Sequence, residues 1–181
     1  MRYCGRSDPP LSAAGGHEAI ALAERLVPTL RPGVRLISSP SRRALATAEA
    51  IARAIGGMAI ERDPRWREAD CGVAEGRTFA ELSAIAPATA ALILAGETAI
   101  DWPDGETVAS LGARVAAAVE DIGLDGRPAI VVTHAGPILH AVALSEERPT
   151  SALDLVPPAT AVRVTVRSGR VDRRPVLPSP T

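Results

Sequence analysis

The 181-residue sequence contains no lysine, asparagine or glutamine, and all 20 of its basic residues are arginine. The arginines are spread along the whole chain, as codon bias in a GC-rich genome would leave them, so their abundance alone marks no site. Net charge is also lacking. A formal −1 at pH 7 and the absence of any long basic run exclude whole-chain attraction to nucleic acid or to an acidic membrane surface, so any anion site must be local. Cysteine is scarce: Cys4 and Cys71 have no metal-ligand spacing. With no signal-peptide pattern ahead of them they fit a reducing cytoplasm, where no disulfide is expected. No apolar stretch approaches the length of a membrane span. No internal repeat or linker divides the chain, so one domain over residues 1–181 is expected. A hydrophobic content of 46% with 23% charged residues excludes disordered and fibrous classes.

What is present reads as alternating helices and short strands. Ser12 is placed to cap a helix whose apolar positions Ala19, Leu22, Ala23 and Leu26 follow the i, i+3, i+4, i+7 rule, ending near Pro32 and Gly33. "VRLISS" (Val34–Ser39) is a strand, followed by a helix over "SRRALATAEAIARAIGG" closed by Gly56 and Gly57. "MAIERDP" is a further short strand. From Trp66 to Arg77 the chain is polar, punctuated by glycine and without period, which predicts a loop. Two short helices are expected between Phe79 and Leu94, then a longer one after Gly105 with Val108, Leu111, Val115 and Val119 on one face. "PAIVVTH" is apolar on both faces and is expected to be a central strand of a parallel sheet. A helix follows from Pro137 to about Leu144, with Pro at its first position. "AVRVTVRSGRV" alternates Val162, Val164 and Val166 with Arg163, Thr165 and Arg167, which predicts an edge hairpin turning at Ser168 and Gly169.

Three fragments could carry chemistry. In open α/β sheets ligands bind at the carboxyl ends of strands, where helix N-termini offer free N–H groups. In "ISSPSRRA", Ser38 and Ser39 end a strand, and Arg42 and Arg43 open a helix. Two arginines there are often a solvated face, yet cations at a helix N-terminus oppose the macrodipole, a cost that a bound anion would reverse. In "VVTHAGP", His134 tips the apolar strand; it is either a satisfied structural residue or an imidazole leaning over the sheet edge toward a ligand. In "RWREADCGVAEGRT", Glu68 lies among Arg65, Arg67 and Asp70. It is either one half of a surface ion pair or a general acid protonating a leaving oxygen.

Together these fragments resemble the histidine phosphatase superfamily, the phosphoglycerate-mutase-like fold. Its members carry, in this order, the counterparts of "SSPSRRALATAEAIA", "WREADCGVAEGRT", "WPDGETVASL" and "VVTHAGPI", and the match covers nearly the whole chain. The resemblance implies a three-layer α/β fold, with a mostly parallel central sheet and helices on both faces. It also implies phosphoryl transfer through a phosphohistidine. Arg43 would clamp the phosphate, Glu68 would donate the proton and His134 would be the second histidine of the phosphate pocket. Cys4, Gly5, Ser39 and Ala135 would line the substrate side, and His140 is a weaker binding candidate at the rim. His17, in the stripe of Glu24, is expected to face solvent. No metal or organic cofactor is implied. The implied partner is a small phosphorylated metabolite, with a homodimer left open and neither nucleic acid nor membrane expected. "YCGRSDPPLS" is most similar to the corresponding loop of α-ribazole phosphatases of cobalamin synthesis.

One family element has no counterpart. The resemblance implies an Arg-His-Gly at the end of a first strand, carrying the nucleophilic His, and no Arg-His-Gly occurs in these residues. In the family that strand lies inside the sheet, beside "AIVVTH". The chain is therefore expected to be N-terminally truncated, with its first strand missing, and to be marginally stable and inactive alone. A non-catalytic phosphoester-binding protein is the alternative expectation.

Overall fold

The computed structural model describes residues 2–146, 157–167 and 170–175. Its elements run α1 (Ala13–Leu26), β1 (Arg35–Ser38), α2 (Arg42–Ala54), β2 (Ile60–Arg62), α3 (Phe79–Ile85), α4 (Pro87–Leu94), α5 (Val108–Asp125), β3 (Ala129–Val132), α6 (Ala135–Glu146), β4 (Val162–Arg167) and β5 (Arg170–Pro175). β2, β1 and β3 form a parallel sheet in that spatial order, with Leu36 opposite both Ile60 and Ile130.

Strand periodicity turns this small sheet into the middle of three layers. Leu36, 1% exposed, packs with Ala19, Ala23, Ala48 and Ile51 of α1 and α2. Its neighbour Ile37, 3% exposed, packs on the opposite face with Trp66, Leu111, Val115 and Ala141. β3 splits in the same way, Ile130 and Val132 toward the first core, Ala129 and Val131 toward the second. Both faces are apolar because both are covered by helices, and the parallel pairing of Ser38 with Val132 brings the carboxyl ends of β1 and β3 together at one rim.

Local chemistry sets the boundaries. Ser12 Oγ accepts the Gly15 N–H at 3.1 Å, and Ala19, Leu22, Ala23 and Leu26 are all buried. α1 ends at Leu26 rather than near Pro32, because Pro28 cannot continue the helical bonding; a short 3-10 turn over Val27–Thr29 follows. α6 begins at Ala135, two residues before Pro137. The N–H groups of a first turn have no partner inside the helix, so proline is tolerated beyond the first position.

Two expectations need correction. Among the described residues β3 pairs with β1 alone, so β1 is the middle strand and β3 stands at an edge. An unbroken apolar run reports that both faces are covered and says nothing about lateral neighbours. The β4–β5 hairpin is antiparallel, with Val162 opposite Pro175, and forms a separate two-stranded sheet; its expected turn at Ser168 and Gly169 lies outside the described residues. Between β3 and β4 is a cavity of about 140 Å³, lined by Trp66, Val119, Ile122, Val131, Val162 and Val164 among others. Trp66 Nε1 is buried there without a partner among the described residues.

Candidate active site

At the carboxyl end of β1 the chain turns through Ser39 and Pro40 into α2. The end of β3 turns through Thr133 and His134 into α6. The loop carrying Glu68 reaches the second of these turns and is stitched to it by Thr133 Oγ1, which donates to the Trp66 carbonyl at 2.7 Å. Glu68 Oε1 accepts the Ala69 N–H at 2.9 Å and the Gly136 N–H at 3.2 Å, two residues past His134. Burial raises the Glu68 carboxyl above the usual range. The N–H groups of Ala69 and Gly136 and the charges of Arg43 and Arg114 oppose that rise without cancelling it. A carboxyl so placed holds its proton more tightly than a free glutamic acid, as a general acid requires.

His134 Nε2 lies 2.9 Å from Ser39 Oγ. Its pKa is pushed down to about 3, first by burial and then by the nearby charges of Arg43, Arg114 and Arg67, with Asp8 opposing. The ring is therefore neutral at pH 7. Nδ1, its other nitrogen, makes no hydrogen bond to any described residue.

Arg43 leans from the first turn of α2 onto the loop before α1. It donates through Nη1 to the Ser7 carbonyl at 2.9 Å and through Nη2 to the carbonyls of Cys4 and Gly5, both at 3.1 Å. The other side of that loop is held by Glu75, whose carboxylate accepts the N–H groups of Gly5 (3.2 Å), Arg6 (2.6 Å), Ser7 (3.3 Å) and Cys71 (3.2 Å). Gly5 has no room for a side chain: a Cβ there would collide with the Ala69 carbonyl and the Glu75 carboxylate. The arginine pair opening α2 is balanced within the protein, since Asp8 Oδ1 accepts the Arg42 N–H at 2.7 Å and brings a carboxylate to the helix N-terminus.

The loop carrying Glu68 is anchored by Arg114 of α5. Its Nε and Nη2 pair with Glu106 at 2.7 and 2.8 Å. Nη1 donates to the carbonyls of Arg65 (2.6 Å) and Arg67 (2.7 Å), and Nη2 to that of Glu68 (3.2 Å). All five N–H donors of the guanidinium are engaged. Glu106 returns to the loop: its N–H donates to the Asp70 carbonyl at 2.9 Å, and its Oε2 accepts the Asp70 N–H at 3.3 Å.

Arg43, Glu68 and His134, far apart in sequence, thus converge at one rim, where the charge of Arg43 bears on both Glu68 and His134. The sequence profile of the histidine phosphatase superfamily (branch 1) matches residues 1–174. The chain belongs to the histidine phosphatase superfamily.

Curated relatives of this histidine phosphatase family member include a probable phosphoglycerate mutase of Serratia proteamaculans, 33% identical over 136 residues, covering 74% of this chain and 61% of that protein. A phosphoglycerate mutase-like protein of Arabidopsis thaliana is 33% identical over 137 residues, covering 74% and 59%. The chain thus matches about half to three-fifths of the length of these curated relatives. A mycobacterial glucosyl-3-phosphoglycerate phosphatase superposes with a TM-score of 0.83 at 25% identity, over 96% of this chain and 90% of that one. A phosphoglycerate mutase of Thermus thermophilus does so with a TM-score of 0.72 at 29% identity, over 98% and 90%. These likenesses establish a three-layer α/β histidine phosphatase fold.

Ser39 is fully buried and engages His134; its strand-end position identified the rim but not the partner that buries the hydroxyl. Cys4 is half-buried and contributes its carbonyl to Arg43, while Ala135 is exposed at the start of α6. His140 lies against α5, its Nδ1 only 3.2 Å from where a Cβ on Gly112 would sit. His17 is exposed, as expected. Glu75, Glu106 and Arg114 were not foreseen as organisers; the only signal for the two glutamates was their presence in family motifs. Among the described residues no His, Cys, Asp and Glu cluster could hold a metal ion, and no helix is long and apolar enough to cross a membrane.

Proposed function

We propose that this chain provides the acid and part of the phosphate pocket of a phosphomonoesterase working through a phosphohistidine, with a small phosphorylated metabolite as substrate. The observation that carries the reading is the meeting of Glu68, its carboxyl raised by burial, with a neutral His134 and Arg43 at the carboxyl ends of β1 and β3. In this reaction a histidine nitrogen attacks phosphorus, the bond to the ester oxygen breaks, and Glu68 gives its proton to the departing oxygen. Water then attacks the phosphohistidine, Glu68 recovers a proton, and inorganic phosphate leaves. Arg43 and His134 offer donors to the phosphoryl oxygens as negative charge shifts.

The nucleophile is proposed to come from outside these 181 residues, on a strand ending in Arg-His-Gly laid along the outer edge of β3. Three features support this placement: among the described residues the edge is unpaired and the buried Trp66 Nε1 has no acceptor, and the cavity beside them is apolar. Such a strand would put its last residues next to His134. α-Ribazole phosphate is the first substrate to test, on the similarity of "YCGRSDPPLS" to the loop of α-ribazole phosphatases. 3-Phosphoglycerate esters are second, since a phosphatase of glucosyl-3-phosphoglycerate is similar in structure.

The test compares the 181-residue chain with one extended by the in-frame codons upstream of Met1, each assayed on p-nitrophenyl phosphate and α-ribazole phosphate. Turnover only in the extended protein, lost on Glu68→Gln, is expected. The lack of an Arg-His-Gly also favours a second reading, a phosphoester-binding protein without catalysis. Phosphate binding with no turnover in either protein would favour that reading, and an upstream stop codon would remove the first.

A further inference from the structure

The hydroxyls of Ser39 and Ser41 have no role in the chemistry above, yet both are sealed in the protein, 0% and 2% exposed. Ser39 Oγ is 2.9 Å from His134 Nε2, 3.1 Å from Ser41 Oγ, and accepts the Ser41 N–H at 3.3 Å. A serine hydroxyl has one proton to give and two lone pairs. One lone pair is taken by the Ser41 N–H, which leaves two arrangements. In one, the Ser39 proton goes to Ser41 Oγ, the remaining lone pair accepts Nε2–H, and His134 Nδ1 is left bare. In the other, the proton goes to Nε2, and the ring, being neutral, carries its hydrogen on Nδ1.

An anionic ligand discriminates sharply between the two. A bare nitrogen lone pair repels a phosphoryl oxygen, whereas Nδ1–H donates to it. Ser41 also begins the turn into α2, next to Arg42 and Arg43, so the hydroxyl pair links the histidine to the helix that carries the arginine. We propose that Ser39, seconded by Ser41, is a positioning residue that sets the tautomer of His134: with a phosphoryl group bound, Ser39 Oγ–H donates to Nε2 and His134 Nδ1–H donates to the ligand. No net charge changes in the switch, because the proton leaving Nε2 for solvent is matched by one gained at Nδ1. The inference rests on the phosphate-pocket reading above.

The test uses the ¹⁵N-labelled 181-residue chain and inorganic phosphate, with long-range ¹H–¹⁵N spectra reading the ring nitrogens and His134→Gln assigning the signal. The phosphate-saturated protein should show Nδ1 protonated and Nε2 as a hydrogen-bond acceptor. Ser39→Ala should weaken phosphate binding about tenfold, the scale of one lost hydrogen bond to a charged ligand's partner, and mix the tautomers. Ser39→Thr, which keeps the hydroxyl, should restore both. A bound ring protonated at Nε2 alone or at both nitrogens overturns the inference even if the alanine variant fails to fold, since it is read on the unaltered protein. Unchanged affinity in a folded Ser39→Ala also overturns it. Phosphate binding that depends on Arg43 and His134 but shows the wrong tautomer sinks only this inference, whereas no phosphate binding by either the 181-residue chain or the extended protein removes the pocket reading with it.

Discussion

Replacing Arg114 with Met removes the anchor of the acid loop while keeping most of the side-chain volume. The Arg114 side chain is 16% exposed and that of its partner Glu106 only 8%. Glu106 would be left with the Asp70 N–H at 3.3 Å and Arg6 at 3.7 Å as its nearest polar support, and the carbonyls of Arg65, Arg67 and Glu68 would lose their shared donor. Breaking one side of a buried ion pair costs about 3–5 kcal/mol, because the surviving charge stays out of water without its counterpart. Against a net domain stability of roughly 5–15 kcal/mol this is a large fraction. With a urea m-value of about 2 kcal/mol/M it lowers the unfolding midpoint by about 1.5–2.5 M. The double variant Arg114→Met, Glu106→Met removes the orphaned carboxylate as well and should recover part of the loss. The assay is urea unfolding of the three proteins at pH 7, followed by circular dichroism. A single variant losing under about 1 kcal/mol, or a double variant less stable than the single, would refute the view that this is a desolvated, mutually dependent pair.

Three further outcomes follow from the site. The folded state raises the Glu68 carboxyl, so its stabilising contribution is complete at low pH and is lost as pH rises through the folded value. Unfolding midpoints of wild type should therefore fall relative to Glu68→Gln between pH 4 and 8, and parallel profiles would show the carboxyl to be unperturbed. His134 runs the other way: lowered from 6.5 to about 3, it withdraws stability as pH falls across that window. His134→Gln should flatten this acid loss, measured by the same titration. Gly5→Ala forces a Cβ into the Ala69 carbonyl and the Glu75 carboxylate, with Cys71 Sγ at 2.8 Å. A cost of about 1–3 kcal/mol is expected, together with faster hydrogen exchange at the amides of Arg6 and Ser7; protection equal to wild type would show that the loop yields without leaving Glu75.

Much of this architecture can be read from periodicity. The stripe of Ala19, Leu22, Ala23 and Leu26 and the face of Leu111, Val115 and Val119 are the buried faces of α1 and α5, because a 3.6-residue repeat encodes burial directly. Strand-end polar residues located the rim for a similar reason: polarity at the end of an apolar run is a break in a pattern. Glu75 and Arg114 break no pattern. Their partners lie about 70 and nearly 50 residues away, and polar side chains at such separations carry no period. Ser39 shows a third limit, since a strand-end hydroxyl is equally suited to meet a ligand or a histidine, and only the packing of β1 against β3 decides. The edge of β3, unpaired among the described residues, escaped for the complementary reason that hydropathy reports what lies above and below a strand, never beside it.

The fastening of the loop before α1 also has a consequence for the order in which the molecule assembles. Tyr3 exchanges backbone bonds with Arg77 and Gly76, Gly5 to Ser7 bond to Glu75, and Cys4, Gly5, Ser7 and Asp8 meet Arg42 and Arg43. None of these partners exists when the loop is synthesised. At about 5–20 residues per second, on the order of 4–14 s passes on the ribosome before Glu75 is made. The segment that emerges early is thus secured late, in two stages: α2 first takes hold of its carbonyls, and Glu75 then collects its amides.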